Sequence, residues 1–183
     1  GVDSGALASS TTAIGKDAIS TGSSATSLGY AAEASSSQTT ALGTRSEATS
    51  SRSTAVGTDS VASGGRSTAI GESSASSGRY STSIGYDSNS SAWNATAIGV
   101  GADANEVSAI AIGSDYNGDN NGPDATADGS VAIGPDATAP NSFEATFGNL
   151  DGEALDVNVT GNLTVHGGDG IYTGKEVEIG GSQ

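Results

Sequence analysis

The segments Thr54-Ala55-Val56-Gly57, Thr68-Ala69-Ile70-Gly71 and Thr82-Ser83-Ile84-Gly85 follow one another at intervals of 14 residues. The same beat runs outward in both directions. Ile14-Gly15, Leu28-Gly29 and Leu42-Gly43 precede these segments in register, and Ile98-Gly99 and Ile112-Gly113 follow. The interval widens to 21 at Ile133-Gly134 and returns to 14 at Phe147-Gly148. Other columns keep phase: a small residue stands two before each Gly, and another five after it (Ser20, Ala34, Ala48, Ala62, Ser76, Ser90, Ala104). A Ser/Ala-rich linker would not hold register over so many units.

Fourteen residues are too few for a helix pair or a strand-plus-helix unit, but suit one coil of a narrow β-solenoid, with two short strands and two tight turns. Strand alternation puts Thr and Ile of Thr-Ala-Ile-Gly on one face and Ala on the other. The expectation from hydrophobicity is that the single large side chain of each coil points inward, with Thr beside it. The small columns would then form smooth outer flanks against which parallel copies pack. Gly would serve as the turn residue that takes positive φ.

The chain has 183 residues and a mass of 17.6 kDa, sized for one domain. Ser, Thr, Ala and Gly make up more than half of it, and aromatics only 4%. One large aliphatic per coil is a thin core against the cost of ordering fourteen backbones, so a homo-oligomer with its axis along the rod is expected. A formal charge of −15 repels phosphate backbones and argues against nucleic acid as a partner. No apolar run reaches the ~18 residues of a membrane span, so direct membrane insertion by this chain is not expected. With no Cys there is neither a disulfide framework nor a thiolate metal site. No basic-plus-apolar signal segment opens the sequence.

The repeated unit T-A-I-G-x-x-A/S-x-A-x-x-x-x-S resembles the head of the YadA-like trimeric autotransporter adhesins, over about residues 1–148. The resemblance implies an all-β fold, a left-handed parallel β-roll with 14-residue coils assembled as a homotrimer. It also implies display at a cell surface, with anchoring to an outer membrane through other regions, and binding to an extracellular matrix protein or a surface glycan. The heptad stalk and terminal β-barrel of that family find no counterpart in the sequence. The expectation is therefore a head fragment, or the same fold used in a virion fibre.

Residues 149–183 break the period and read as a short-stranded β connector or cap, with Leu155-x-Val157-x-Val159, a Thr160-Gly161-Asn162 turn and Leu163-x-Val165. The stretch Val157–Val165 resembles connectors of phage and other viral tail fibres, which keeps a virion or tail-fibre protein for host recognition as the alternative function.

Two departures from the repeat are candidate sites. The first is an Asn/Asp/Gly-rich insertion at about 114–127. Counted from Asn117, oxygen donors fall at positions 1, 3 and 5 (Asn117, Asp119, Asn121), with Gly at 6 and Asp128 at 12, close to a calcium loop. The same residues also suit a plain solvated turn, and position 12 is Asp where the loop calls for Glu. The second is a cluster of bases: Arg45, Arg52, Arg66 and Arg79. Arg52, Arg66 and Tyr80 share one column, and Arg79 and Trp93 share the adjacent one, in reach of a cation–π pair. Such a ridge suits a sulfated or sialylated glycan, or a collagen-like chain. The competing reading is pairing between copies, Arg reaching Glu33, Glu47 or Glu72 of a neighbour.

Nothing marks an enzyme. His166 is the sole histidine and lies in the Gly-rich tail, where a turn role suffices. A Thr column also characterises ice-binding solenoids, but the expected inward Thr argues against that use. The reading is a non-enzymatic fibrous adhesin head, with a passive structural spacer as a lesser alternative.

Overall fold

The computed structural model describes residues 3–115, 118 and 122–148. They form a parallel β-solenoid in which strands alternate between two sheets. Sheet A starts with β1 (Gly5–Ala6) and β3 (Ile19–Ser20), and sheet B with β2 (Thr12–Ile14) and β4 (Thr26–Leu28). The last strand is β20 (Ala145–Phe147), and each sheet holds ten strands in simple succession along the axis. Every pairing is parallel and joins a residue to its equivalent in the next coil, as in Thr54 to Thr68 to Thr82. Between β16 (Ile110–Ile112) and β17 (Asp124–Ala125) the turn is seven residues longer, yet Asp103 still pairs with Asp124 and Ile110 with Val131. The seven extra residues thus fall within one turn, and the ladder keeps its register on both sides of them.

The inward and outward faces are the reverse of the expectation. Ala69 is fully buried while Ile70 beside it is 38% exposed. Four positions per coil face the interior: in the third coil set, for example, Ser46, Ala48, Ser53 and Ala55, all 0% exposed. The equivalent positions in other coils are nearly all Ala or Ser, with Thr39 and Pro123 the largest. Two strands of two and three residues, closed by tight turns, enclose a space that a methyl or hydroxymethyl fills. An Ile there would overpack the coil, so Thr and Ile of each Thr-Ala-Ile unit lie on the outer face of sheet B. The flank offered by sheet B is therefore apolar and β-branched, not the smooth Ala/Ser surface expected.

Most buried hydroxyls are satisfied locally, with Ser67 Oγ the exception among the described residues. Ser46, Ser60 and Ser74 each donate to the carbonyl three residues back, at 3.0 Å. Ser76 and Ser81 pair across the interior at 2.6 Å, and Ser83 and Ser88 at 2.8 Å. Polar atoms in this core therefore carry little of the cost of an unpaired buried group.

Each coil turns twice through left-handed backbone. One column of such residues runs Asp17, Ala31, Arg45, Asp59 and Ser73, and the other Ser24, Gln38, Arg52, Arg66 and Tyr80, with φ between 51° and 62°. The Gly that ends each sheet B strand meets a stricter demand. Gly57 has φ 136°, and a Cβ there would lie 2.3 Å from the Gly71 carbonyl oxygen of the next coil. Gly57→Ala should lower folding stability by about 1–3 kcal/mol from backbone strain alone, read as a drop in unfolding midpoint.

Asp103 stacks on Asp124, which opens the first strand after the insertion. Burial first, then the facing Asp124 carboxylate and Asp87, push the Asp103 carboxyl up, against the hydrogen bonds of Asn89 and Asn105. Burial alone raises Asp124, whose Oδ1 has no hydrogen-bond partner among the described residues. Both folded values stand above the unfolded ones, so the favourable contribution of each acid is complete below the unfolded value of about 3.9 and is lost as pH rises through the folded value. At neutral pH both carboxylates cost stability. Asp124→Asn should raise the melting temperature at pH 7, and the gain should shrink as pH falls through the folded value and vanish below about pH 4; a gain that grew on acidification would contradict this.

Candidate functional site

Two surfaces of the roll stand out chemically. The first is the outer face of sheet B, where Ile14, Leu28, Leu42, Ile70 and Ile84 are all exposed large aliphatics in one column. The Thr column Thr26, Thr40, Thr54, Thr68, Thr82 and Thr96 runs beside it, half-buried. The outer face of sheet A differs: its column runs Glu33, Glu47, Val61, Ala75, Asn89 and Asp103. One sheet is thus apolar outside and the other mixed and polar. The outward Thr column removes the argument made from sequence against an ice-binding surface, since Thr does face outward; large aliphatics stand beside it in every coil.

The second surface lies on the turn that leads from sheet A to sheet B. Left-handed backbone at Arg52, Arg66 and Tyr80, φ 62° at each, aims three successive side chains from the same edge. Their amides are fixed to the preceding coil: Arg52 N–H to Ser37 O, Arg66 N–H to Ser51 O, and Tyr80 N–H to Gly65 O, at 2.9–3.0 Å. Arg66 donates to the Tyr80 hydroxyl and lies 5.2 Å from its ring centroid. Arg79 lies over the same ring at 4.6 Å. Its guanidinium therefore uses Tyr80, one residue on, rather than Trp93, the partner expected from their shared column; Trp93 is left half-exposed. Arg52 Nε donates to Gln38 Oε1 at 2.9 Å.

Among the described residues, no carboxylate comes within 4 Å of Arg52, Arg66 or Arg79. Arg45 is different. It forms a two-point ion pair with Asp59 of the next coil, and that hydrogen bond holds the Asp59 carboxyl below its ordinary value. Ser51, Arg52, Gly65, Arg66 and Arg79 together line a cleft of about 180 Å³. Ser51 and Gly65, the small residues of its lining, were not singled out from the sequence. The signal was available: they are the small residues immediately preceding Arg79 and Trp93 in one column. Gln38, which heads the column of Arg52 and Arg66, was missed for want of charge.

Of the calcium-loop residues, Asn117, Asp119 and Asn121 lie outside the described residues. Asp128 is described, and its Oδ1 accepts from the Val107 N–H of the neighbouring coil at 3.2 Å, a structural role. His166 and the connector of residues 149–183 also lie outside the described residues. Among the described residues no group of three or more His, Cys, Asp or Glu is placed to hold a metal. Tyr30 and Tyr86 are exposed on the opposite turn, and Lys16 lies over the Tyr30 ring at 5.4 Å.

The model of the YadA head domain repeat, spanning two copies of the repeat, matches residues 20–46, 48–74, 62–88, 94–115 and 125–142, more than half of the chain. No curated protein matches. Among solved structures, the collagen-binding domain of the Yersinia adhesin YadA is 20% identical with a TM-score of 0.40, over 85% of this chain and 68% of that one. A parallel roll with one Gly-ended aliphatic per 14-residue coil and the repeat model agree, and the chain belongs to the YadA head domain repeat family, with a function of the adhesin type.

Proposed function

We propose that the chain is the head of a non-enzymatic, surface-displayed fibrous adhesin, a homotrimer of parallel rolls that attaches its bearer to an extracellular matrix protein or a surface glycan. The observation that carries this reading is the outer face of sheet B. Its aliphatic column is continuous along the rod and exposed or half-buried in a single chain, although fully burying such side chains is worth about 1.5–3 kcal/mol each. A second and third copy, parallel and in register, would cover it with like residues at each level. The number three comes from the family resemblance, and the apolar face supplies the reason for assembly. Assembly would turn the polar face of sheet A and the two turn edges outward, as the surfaces available for attachment.

Sedimentation equilibrium tests this directly. The expected mass is three times the 17.6 kDa of the chain. An Ile70→Asp/Ile84→Asp variant should dissociate, and Ala75→Asp on the outer face of sheet A should not. Trimeric wild type should retain surface attachment that the dissociated variant loses. A monomeric wild type, or a trimer indifferent to charges at 70 and 84, would overturn the reading.

A further inference from the structure

We infer that the cleft of Ser51, Arg52, Gly65, Arg66 and Arg79 binds the sulfate ester of a sparsely sulfated polysaccharide. This rests on the surface-glycan form of the attachment reading and gives it a site and a ligand class, but it does not depend on assembly, because every lining residue belongs to one chain.

The electrostatics come first. This is an acidic chain with six Lys and Arg against 21 Asp and Glu. Where an arginine has only a structural role, at Arg45, a carboxylate of the next coil meets it. Arg52, Arg66 and Arg79 stand on three successive coils, at a rise of about 4.8 Å each, and no carboxylate among the described residues joins them. Three neighbouring guanidiniums repel one another, and an anion seated among them relieves the repulsion. Each guanidinium has five N–H donors and no acceptor. Arg52 uses one toward Gln38 and Arg66 one toward Tyr80, so most remain for a ligand.

The shape comes next. Ser51 and Gly65 carry little or no side chain where Arg79 and Trp93 stand in the following coils, and this leaves the notch. The Tyr80 ring fixes Arg66 and Arg79 together, one by hydrogen bond and both over its face, so the cations are pre-organised. A carboxylate is satisfied by one guanidinium fork, whereas a sulfate offers three free oxygens to three arginines. Trp93, 51% exposed and in the column of Arg79 one coil on, provides an apolar face for the sugar ring. The acidity of the rest of the rod disfavours a dense polyanion, so one anionic group per cleft on a sparsely charged chain is the better match.

The test is binding of the intact protein to immobilised chondroitin sulfate, with desulfated chondroitin and heparin as parallel surfaces. Binding at 50 mM salt should be lost steeply toward 500 mM. Gly65→Glu places a carboxylate in the notch. A Cβ at Gly65 meets nothing closer than 3.7 Å, so this variant keeps the fold. Gly65→Glu and Arg66→Ala should each weaken binding at least tenfold, Arg66→Lys less, and Arg45→Ala should leave it unchanged. Desulfated chondroitin, which keeps its carboxylates, should bind at least tenfold more weakly, and heparin no better than chondroitin sulfate. The inference fails if wild type binds neither sulfated surface, if Gly65→Glu binds as well as wild type, or if desulfation makes no difference. It also fails if Arg66→Ala lowers the melting temperature of the oligomer without changing sugar binding, the signature of pairing between copies. Sedimentation of each variant keeps a lost oligomer distinct from a lost cleft.

Discussion

The width of the coil interior governs everything else in this structure. Fourteen residues bent through two tight turns leave four inward positions, and these are filled by Ala or Ser in nearly every coil, with Thr39 and Pro123 the largest side chains taken in. From that limit follow the near-absence of large side chains inside, the Gly column where successive backbones approach too closely for a Cβ, and the expulsion of Ile, Leu and Val to the outside of sheet B. A roll of this kind draws its order from the parallel ladder and from satisfied hydroxyls more than from a packed hydrophobic centre. Its hydrophobic surface is left over for another molecule, and a second copy with the same period matches it level by level.

Much of this is legible in the spacing alone. The 14-residue beat gives the coil, the Gly column gives one turn, and the seven extra residues after Gly113 fall in a turn because only a turn can absorb them without breaking register. The inside and outside of the strand were misread because hydrophobicity was weighed and volume was not. The Ile column admits Val, Leu and Phe147 along the chain, a variation in size that a narrow interior cannot accept. The columns of Ala55 and Ala48 vary only between Ala and Ser over most of the coils. Constancy of volume was the better indicator of burial.

At the candidate site, the column arithmetic brings Arg52, Arg66 and Tyr80 together, and the structure adds a hydrogen bond and two ring contacts. It could not choose between Tyr80 and Trp93 as the partner of Arg79. Both are one step away, along the chain or along the axis, and the side-chain path decides. The neutralisation of Arg45, by contrast, is held in the spacing, since Asp59 lies in the same left-handed column a full coil later. A rod turns sequence period into vertical neighbours, so charges fourteen residues apart are the pairs to examine first.

Both the narrow interior and the apolar flank depend on which face of the Thr-Ser-Ile strand points inward, and the absence of Cys from the chain makes that accessible to labelling. Single cysteines at Ser83 and Ile84 can be compared by thiol-labelling rate, in the assembled protein and under conditions that dissociate it without unfolding. A thiol at 83 should stay protected in both states, and one at 84 should be protected when assembled and react once the copies separate. A thiol at 83 that labels readily while 84 remains protected in the separated chain would contradict the structure.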